Sequence, residues 1–435
     1  MPRYQPEVKD KNSSFAFFFL FLYVAMVFIR PHQMFQVSIE WSLIMYFAIT
    51  SFIVALINHR PLQLCPQHIM LFLLYPLIIL SGFLNGSGLW GISQANIYLS
   101  ATIIPLFLFS NCISSIQRQH WIMIVCLVAT LCMVHNGHVQ QSDIFWQGWA
   151  LNTEAYPLPG TDSRRITYLG FFSDPNDIGM FFVMNIPFVL YFYTKGKFFT
   201  KIAMLLVFAC ILYGVYITHS RGTALGVIAL VGIYYLVIKA GKKIFFAGLL
   251  GAPIAIMVLM ILQSNVDESA RGRLEAWYAG IQMLTSYPLG IGKGAFVDHH
   301  GLTAHNSYVL VAGELGFLGY SLWGGALFFT ITSGFLFIKN TKNVTSLTEE
   351  QKNELAINKT LFFSMSGFMI TAFFLSRSYT VLLFIFMGMT IASHYRVVKV
   401  LPELSKYFDK ALAIKCSLYS WSIIIVVYMA LKIAL

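Results

Sequence analysis

The run Ala304-His305-Asn306-Ser307-Tyr308 sets an imidazole beside an amide and two hydroxyls. With an ordinary pKa near ~6.5, an imidazole can take a proton from a hydroxyl nucleophile at neutral pH. His305 is therefore the candidate general base. The competing reading is a solvated histidine at a membrane edge, beside Asn306 as a helix cap. Nine residues separate Asn306 from Gly316, and Gly319 lies one helical turn further on. That spacing predicts a small-residue face that a second helix can approach closely, pinning the helix that presents His305.

Arginines supply the complementary chemistry. Arg221 lies in His219-Ser220-Arg221-Gly222, where the glycine leaves room beside the guanidinium. Arg271 and Arg273 open the stretch that runs to Trp277, and Arg165 follows Arg164 upstream. A guanidinium stays charged in a partly dry site and grips phosphate oxygens through two parallel N–H donors. Arg221 and Arg273, together with Arg165 and Arg271, are therefore candidates for contacting a phosphate-bearing ligand or lipid headgroups. Leu274, Trp277, Tyr278 and Ile281 follow i, i+3, i+4, i+7 spacing, which predicts a helix lying in the membrane interface with Arg273 at the border of its apolar face.

Asp174-Pro175-Asn176-Asp177 reads as a helix start. Asp174 sits at the cap, Pro175 in the first turn and Asp177 three residues beyond the cap in a box-like position. Asp174, Asn176 and Asn306 are thus cap residues and, alternatively, ligands for a substrate. Glu314 falls inside a long apolar run, where a carboxylate is costly and marks a function or a buried partner. Support of the His305 helix, or pairing with an arginine, is its expected role. The adjacent His299 and His300 invite a metal reading. Neighbouring side chains point apart, however, and no further ligands cluster with them, so no metal or other cofactor is expected.

A membrane must hold these residues in place. Of the 435 residues, 57% are hydrophobic and 11% charged, against roughly 25% charged in a soluble domain. Compact soluble cores cannot hide that much apolar surface. A soluble enzyme, a nucleic-acid binder and a disulfide scaffold are excluded as whole-chain readings, and the six scattered cysteines form no Cys-x-x-Cys pair. The fold class expected is an all-α polytopic membrane protein, organised as one integral membrane domain over 1–435. Candidate spans lie at 14–30, 37–57, 68–84, 93–112, 121–135, 177–194, 200–218, 222–238, 244–262, 308–337, 360–376, 379–394 and 417–434, giving 12 or 13 crossings. The fifth run is short, and the last is read either as a crossing or as a surface helix. The first lacks a small-x-small cleavage site after it and is read as a retained span.

Lysine and arginine gather in loops that face the cytoplasm. With the N-terminus inside, 16 of the 18 lysines fall on the cytoplasmic side, including those of the 339–359 loop. Lys293 and Lys432 are the exceptions. This loop bias also accounts for most of the net charge of +11, so no nucleic-acid partner is expected. Seven of the 11 arginines fall outside: Arg30, Arg164, Arg165, Arg221, Arg271, Arg273 and Arg377. An outer face rich in arginine and poor in lysine suggests capture of a phosphate-bearing ligand, with contact to lipid headgroups as the alternative. Two outer segments, 136–176 and 263–307, are too long for turns. In the first, Trp146, Trp149 and Tyr156 suit either stacking on sugar rings or the interfacial aromatic belt.

His305-Asn306, nine residues, then Gly316-x-x-Gly319 resembles the signature of the bacterial O-antigen ligase and O-antigen polymerase superfamily. Tyr168 to Asp177, His219 to Gly222, and Arg271 to Trp277 followed by Tyr287-Pro288-Leu-Gly-Ile-Gly292 also look like that family, in order over about residues 160–340. The resemblance implies a GT-C-like helical fold in the bacterial inner membrane, with its site facing the periplasm. It implies a metal-independent, inverting glycosyltransferase with an undecaprenyl-diphosphate-type glycan donor. His305 would be the base, and Arg221 and Arg273 would neutralise the diphosphate. Ligases move the glycan to a lipid A-core sugar, polymerases extend another lipid-linked glycan, and some relatives glycosylate proteins. From a different class, a flippase for lipid-linked oligosaccharides would share the spans and the arginines, but has no need of the His-Asn motif.

Overall fold

The structure, a computed structural model, describes residues 13–34, 42–158, 161–239, 268–342, 344 and 346–434. The chain is an all-helical membrane protein, with ten described helical runs long and apolar enough to cross a bilayer. The helices are α1 Ser14–Phe28, α2 Pro31–Met34, α3 Leu43–Asn58, α4 Pro66–Leu84, α5 Gly88–Tyr98, α6 Ile104–Cys112, α7 Ile116–Ser142, α8 Pro175–Lys195, α9 Phe198–Ile217, α10 Arg221–Lys239, α11 Glu268–Ser286, α12 Phe296–His300, α13 Ser307–Thr341, α14 Glu349–Thr371, α15 Val381–Val400 and α16 Lys410–Ala434. A π-helical turn at Leu99–Ile103 joins α5 to α6 into a single crossing. The expected span at 244–262 lies outside the described residues.

Several boundaries move from their expected places for local reasons. The fifth crossing is not short: α7 continues to Ser142, so the outer segment starts later than 136. Its last turns carry Asn136 and Gln140, whose side chains are buried and bonded to Thr153 and Thr167 of that segment. Polar residues that hydropathy reads as loop are thus packed helix. On the opposite side, α13 runs to Thr341 and α14 starts at Glu349, shortening the polar 339–359 loop. Thr348 and Gln351 form a reciprocal capping box that fixes this start.

The Gly316/Gly319 pair works differently from the expected helix-packing face. Gly316 adopts φ 65° and ψ −161°, breaking α13 after its first nine residues. This left-handed value favours glycine. The break frees carbonyls that the preceding loop satisfies: Ile291 N donates to Gly313 O at 3.2 Å and Gly292 N to Glu314 O at 3.0 Å. Phe317 N in turn donates to Pro288 O at 2.9 Å. Irregular backbone at membrane depth persists where protein rather than lipid surrounds it. Here Ser81 Oγ from α4 and Asn85 Nδ2, at the cap of that helix, both donate to Gly290 O, at 2.9 Å each. α13 also packs along α16, α4 and α11, and α14 packs on α8, which makes α13 the central post of the bundle.

Candidate active site

Three helices begin at one place. Asp174 caps α8, its Oδ1 accepting from Asn176 N at 2.8 Å and from Asn176 Nδ2 at 2.9 Å. Asn176 Oδ1 then accepts from Ser220 Oγ at 2.7 Å, just before α10, and from Arg165 Nη2 at 2.8 Å. Arg165 Nε donates to Thr218 O at 3.0 Å. Arg377, between α14 and α15, donates through Nε to Asp177 Oδ1 at 2.5 Å and through Nη2 to Asp174 Oδ2 at 3.4 Å. Its backbone N–H donates to Ser307 Oγ at 2.9 Å, at the start of α13. The N-termini of α8, α10 and α13 are therefore tied together by side chains, and each carries partial positive charge.

His305 sits directly before the third of these N-termini. Asn306 caps α13, accepting from Tyr308 N at 2.9 Å and Val309 N at 3.1 Å. On the other flank, Ala304 O accepts from the fully buried Trp277 Nε1 at 2.8 Å. Anchored on both sides, His305 is held at φ 48°. His219, before Ser220 and Arg221, has φ 46°. Such left-handed non-glycine residues cost on the order of 1–3 kcal/mol and gather at functional sites.

Burial first, and then the charges around His305, set its protonation. Burial holds its pKa below the ordinary histidine value, and repulsion from Arg273 and Arg377 acts the same way, against the opposing pull of Asp174. Arg165 is lowered by burial, with Asp174 favouring its charge and Arg273 opposing it. Burial also works against the charge on Arg377, but the hydrogen bond and negative charges of Asp177 and Asp174 overcome it and raise its pKa. Arg165, Arg273, Arg377, Asp174 and His305 thus share one electrostatic neighbourhood. Arg221 is the first residue of α10, next to Ser220 and on the exposed side of the cluster.

Not every expected residue joins it. Arg271 is largely exposed and donates through Nε to Glu275 at 3.0 Å on its own helix, away from the cluster. An i, i+4 carboxylate is the nearer partner. The apolar face of α11 does not lie in the interface either: Leu274, Trp277 and Ile281 are buried against protein and only Tyr278 remains exposed. Asp177 is not part of a capping box but the ion-pair partner of Arg377. His299 is exposed with its ring against Ala295 O, and His300 packs against Phe296, so the two point apart. Among the described residues no group of three His, Cys, Asp or Glu side chains converges on a metal-sized site.

The residues that sequence reasoning missed are Arg377, Asp177, Ser220 and Ser307. Arg377 was visible as one of the outward arginines. Its neighbours in sequence do not point to partners 200 residues away.

Glu314 is 3% exposed and anchors a second polar group beneath the site. Its Oε1 accepts from Gly294 N at 2.9 Å, within the glycine loop. Lys293, also buried, donates to Gln94 Oε1 at 2.6 Å and lies 5.1 Å over the Tyr379 ring. Burial lowers the Lys293 pKa, and Glu314 opposes that effect. The cation near Glu314 is thus a lysine rather than the arginine considered from sequence.

Comparison with known proteins places a family around this geometry. The O-antigen ligase family model matches residues 206–324, a stretch that contains Arg221, Arg273, His305, Glu314, Gly316 and Gly319. No curated protein matches the chain. Through that stretch, which carries the His305 helix, its break and two of the site arginines, the chain is similar to the O-antigen ligase family.

Proposed function

We propose that the chain is a glycosyltransferase that moves a glycan from a polyprenyl-diphosphate donor of the undecaprenyl type to an acceptor hydroxyl. The acceptor oxygen attacks the anomeric carbon as the carbon–oxygen bond to the diphosphate breaks, and the bonding pair leaves with the diphosphate. The hydroxyl proton passes to His305. Attack opposite the leaving group inverts the anomeric carbon. Arg221 and Arg273 neutralise the leaving diphosphate, with Arg165 behind them and three helix N-termini adding to the field. Asp174, Asn176 and Asn306 hold the frame, and Asp174 and Asn176 orient Arg165 and Arg377 toward it.

The observation that carries this reading is His305. It is a half-buried imidazole in strained backbone, its pKa lowered by desolvation and by the arginines around it. A flippase has use for arginines but none for a base prepared in this way. Ligase and polymerase share the donor chemistry and differ in the acceptor, a lipid A-core sugar, a second lipid-linked glycan or a protein. The lysine asymmetry supports a periplasmic site in the inner membrane. Reconstitution with a lipid-linked glycan tests the reading. Release of the diphosphate lipid from its glycan is expected, and relocation of the intact lipid-linked glycan without cleavage overturns it.

A further inference from the structure

The outer segment before α8 contains the described residues' one two-stranded ribbon, β1 Tyr156–Pro157 against β2 Arg164–Arg165. Tyr156 is paired directly with Arg165, and Pro157 with Arg164. Opposed residues of an antiparallel pair project from the same face, with Cβ atoms about 4.5–5.5 Å apart, while successive residues alternate faces. Arg165 reaches Asn176 and Thr218 at the candidate active site. Tyr156 therefore stands on the site-facing side, beside Arg165. Arg164 turns the other way, to Glu154 at 3.1 Å and to the face of Trp146 at 5.2 Å.

The ribbon is not a loose flap. Thr167 N, two residues after Arg165, donates to the buried Gln140 side chain at 3.0 Å, and Asn136 Nδ2 donates to Thr167 O at 3.1 Å. Thr167 Oγ1 closes back onto Glu154 O at 2.8 Å. The anchors on α7 hold the base of the ribbon while the Tyr156 ring remains 59% exposed. Trp146 is less available, because the Arg164 guanidinium covers one face of its ring.

We propose that Tyr156 is the platform for the first sugar of the donor, the pyranose joined directly to the diphosphate. This rests on the transferase reading and deepens it. A diphosphate held by Arg221 and Arg273, with Arg165 behind it, leaves its first sugar on the side of Arg165's cross-strand neighbour. A phenol ring offers an apolar face to the C–H side of a pyranose and a hydroxyl to its rim.

The test compares two probes on the purified full chain: undecaprenyl diphosphate, and the same lipid carrying one N-acetylglucosamine. Tyr156→Ala is expected to weaken binding of the sugar-bearing probe about tenfold, and to leave the bare probe unchanged. Tyr156→Phe keeps the ring and is expected to stay within about threefold of the wild type. Equal loss of both probes in Tyr156→Ala overturns the subsite and makes Tyr156 a support for Arg165. No loss of either overturns it in favour of an interfacial aromatic. If the wild type binds neither probe, the transferase reading fails and the subsite with it.

Discussion

Arg377 Nε meets Asp177 Oδ1 at 2.5 Å across 200 residues of sequence. The pair joins the loop before α15 to the first turn of α8, and the same arginine holds Ser307 at the start of α13. Asp177 is 3% exposed in its side chain and Arg377 30%. Removing the arginine alone strands a buried carboxylate. Arg377→Ala should lower stability by at most the roughly 3–5 kcal/mol of a broken buried pair, since Arg377 keeps part of its hydration. The double variant Asp177→Asn/Arg377→Met should recover much of the melting temperature but not the transfer activity. Recovery of both would reduce the pair to a scaffold contact.

The protonation of His305 sets the acid limb of the pH profile. A base works only when neutral, and this pKa lies below the ordinary ~6.5 because of burial and the neighbouring arginines. Transfer should therefore persist as pH falls through ~6.5 and fail only at the lower folded value. Arg273→Ala removes a cation that depresses this pKa, so the limb should move to higher pH. Asp174→Asn removes the opposing anion and should move it lower. An acid limb that ignores both substitutions belongs to another group. His305→Ala should cost about 10²–10⁴-fold in rate with donor binding retained.

The two principal arginines should respond to geometry as well as charge. Arg221→Ala and Arg273→Ala are expected to depress transfer sharply while the protein still inserts. Lysine at either position should rescue only in part, because an ammonium keeps the charge but loses the planar fork. Arg271→Ala, by contrast, should leave transfer within a fewfold of the wild type, since its guanidinium is engaged on the exposed side of α11. Full rescue by lysine at both sites would show that a diffuse field suffices.

Glu314 and Lys293 should behave as a unit. Lys293→Met removes the cation near Glu314 and the donor to Gln94, and should reduce the yield of folded protein. Glu314→Gln/Lys293→Met removes both charges, and should restore yield above that of Lys293→Met alone. Because Glu314 Oε1 holds Gly294 N in the glycine loop, the amide variant keeps an acceptor there. A double variant that is no better than the lysine single would separate the two residues.

Orientation is open to chemical labelling. On a cysteine-free background, reagents confined to the outside should modify cysteines placed in 143–173 and at 301–303. They should spare Lys342→Cys, and modification at that position would invert the arrangement.

Much of this was legible from composition alone. Runs of about 20 apolar residues declare themselves because every one must face lipid or other helices. His305, Arg221 and Arg273 stood out because imidazoles and guanidiniums are expensive at a membrane boundary. Arg377 could be counted but not placed, since only packing of α14 on α8 brings it to Asp177. The α11 face was misread because a helix buried against protein and one lying in lipid headgroups share one periodicity, and only the tertiary contact of Trp277 with Ala304 distinguishes them. The same limit applied to Gly316, where small size served a backbone reversal instead of a helix contact.

The interruption at Gly316 also bears on how the protein is assembled. A continuous apolar helix can enter the bilayer with its backbone bonds already complete, but α13 cannot. The carbonyls of Gly313 and Glu314 and the N–H of Phe317 find their partners in 288–292, a stretch that leaves the ribosome before α13 does. Unmet backbone groups in hydrocarbon cost several kcal/mol each. The span of α13 therefore completes its backbone bonds only against the 288–292 loop, and the register of that contact also sets where the helix carrying His305 begins.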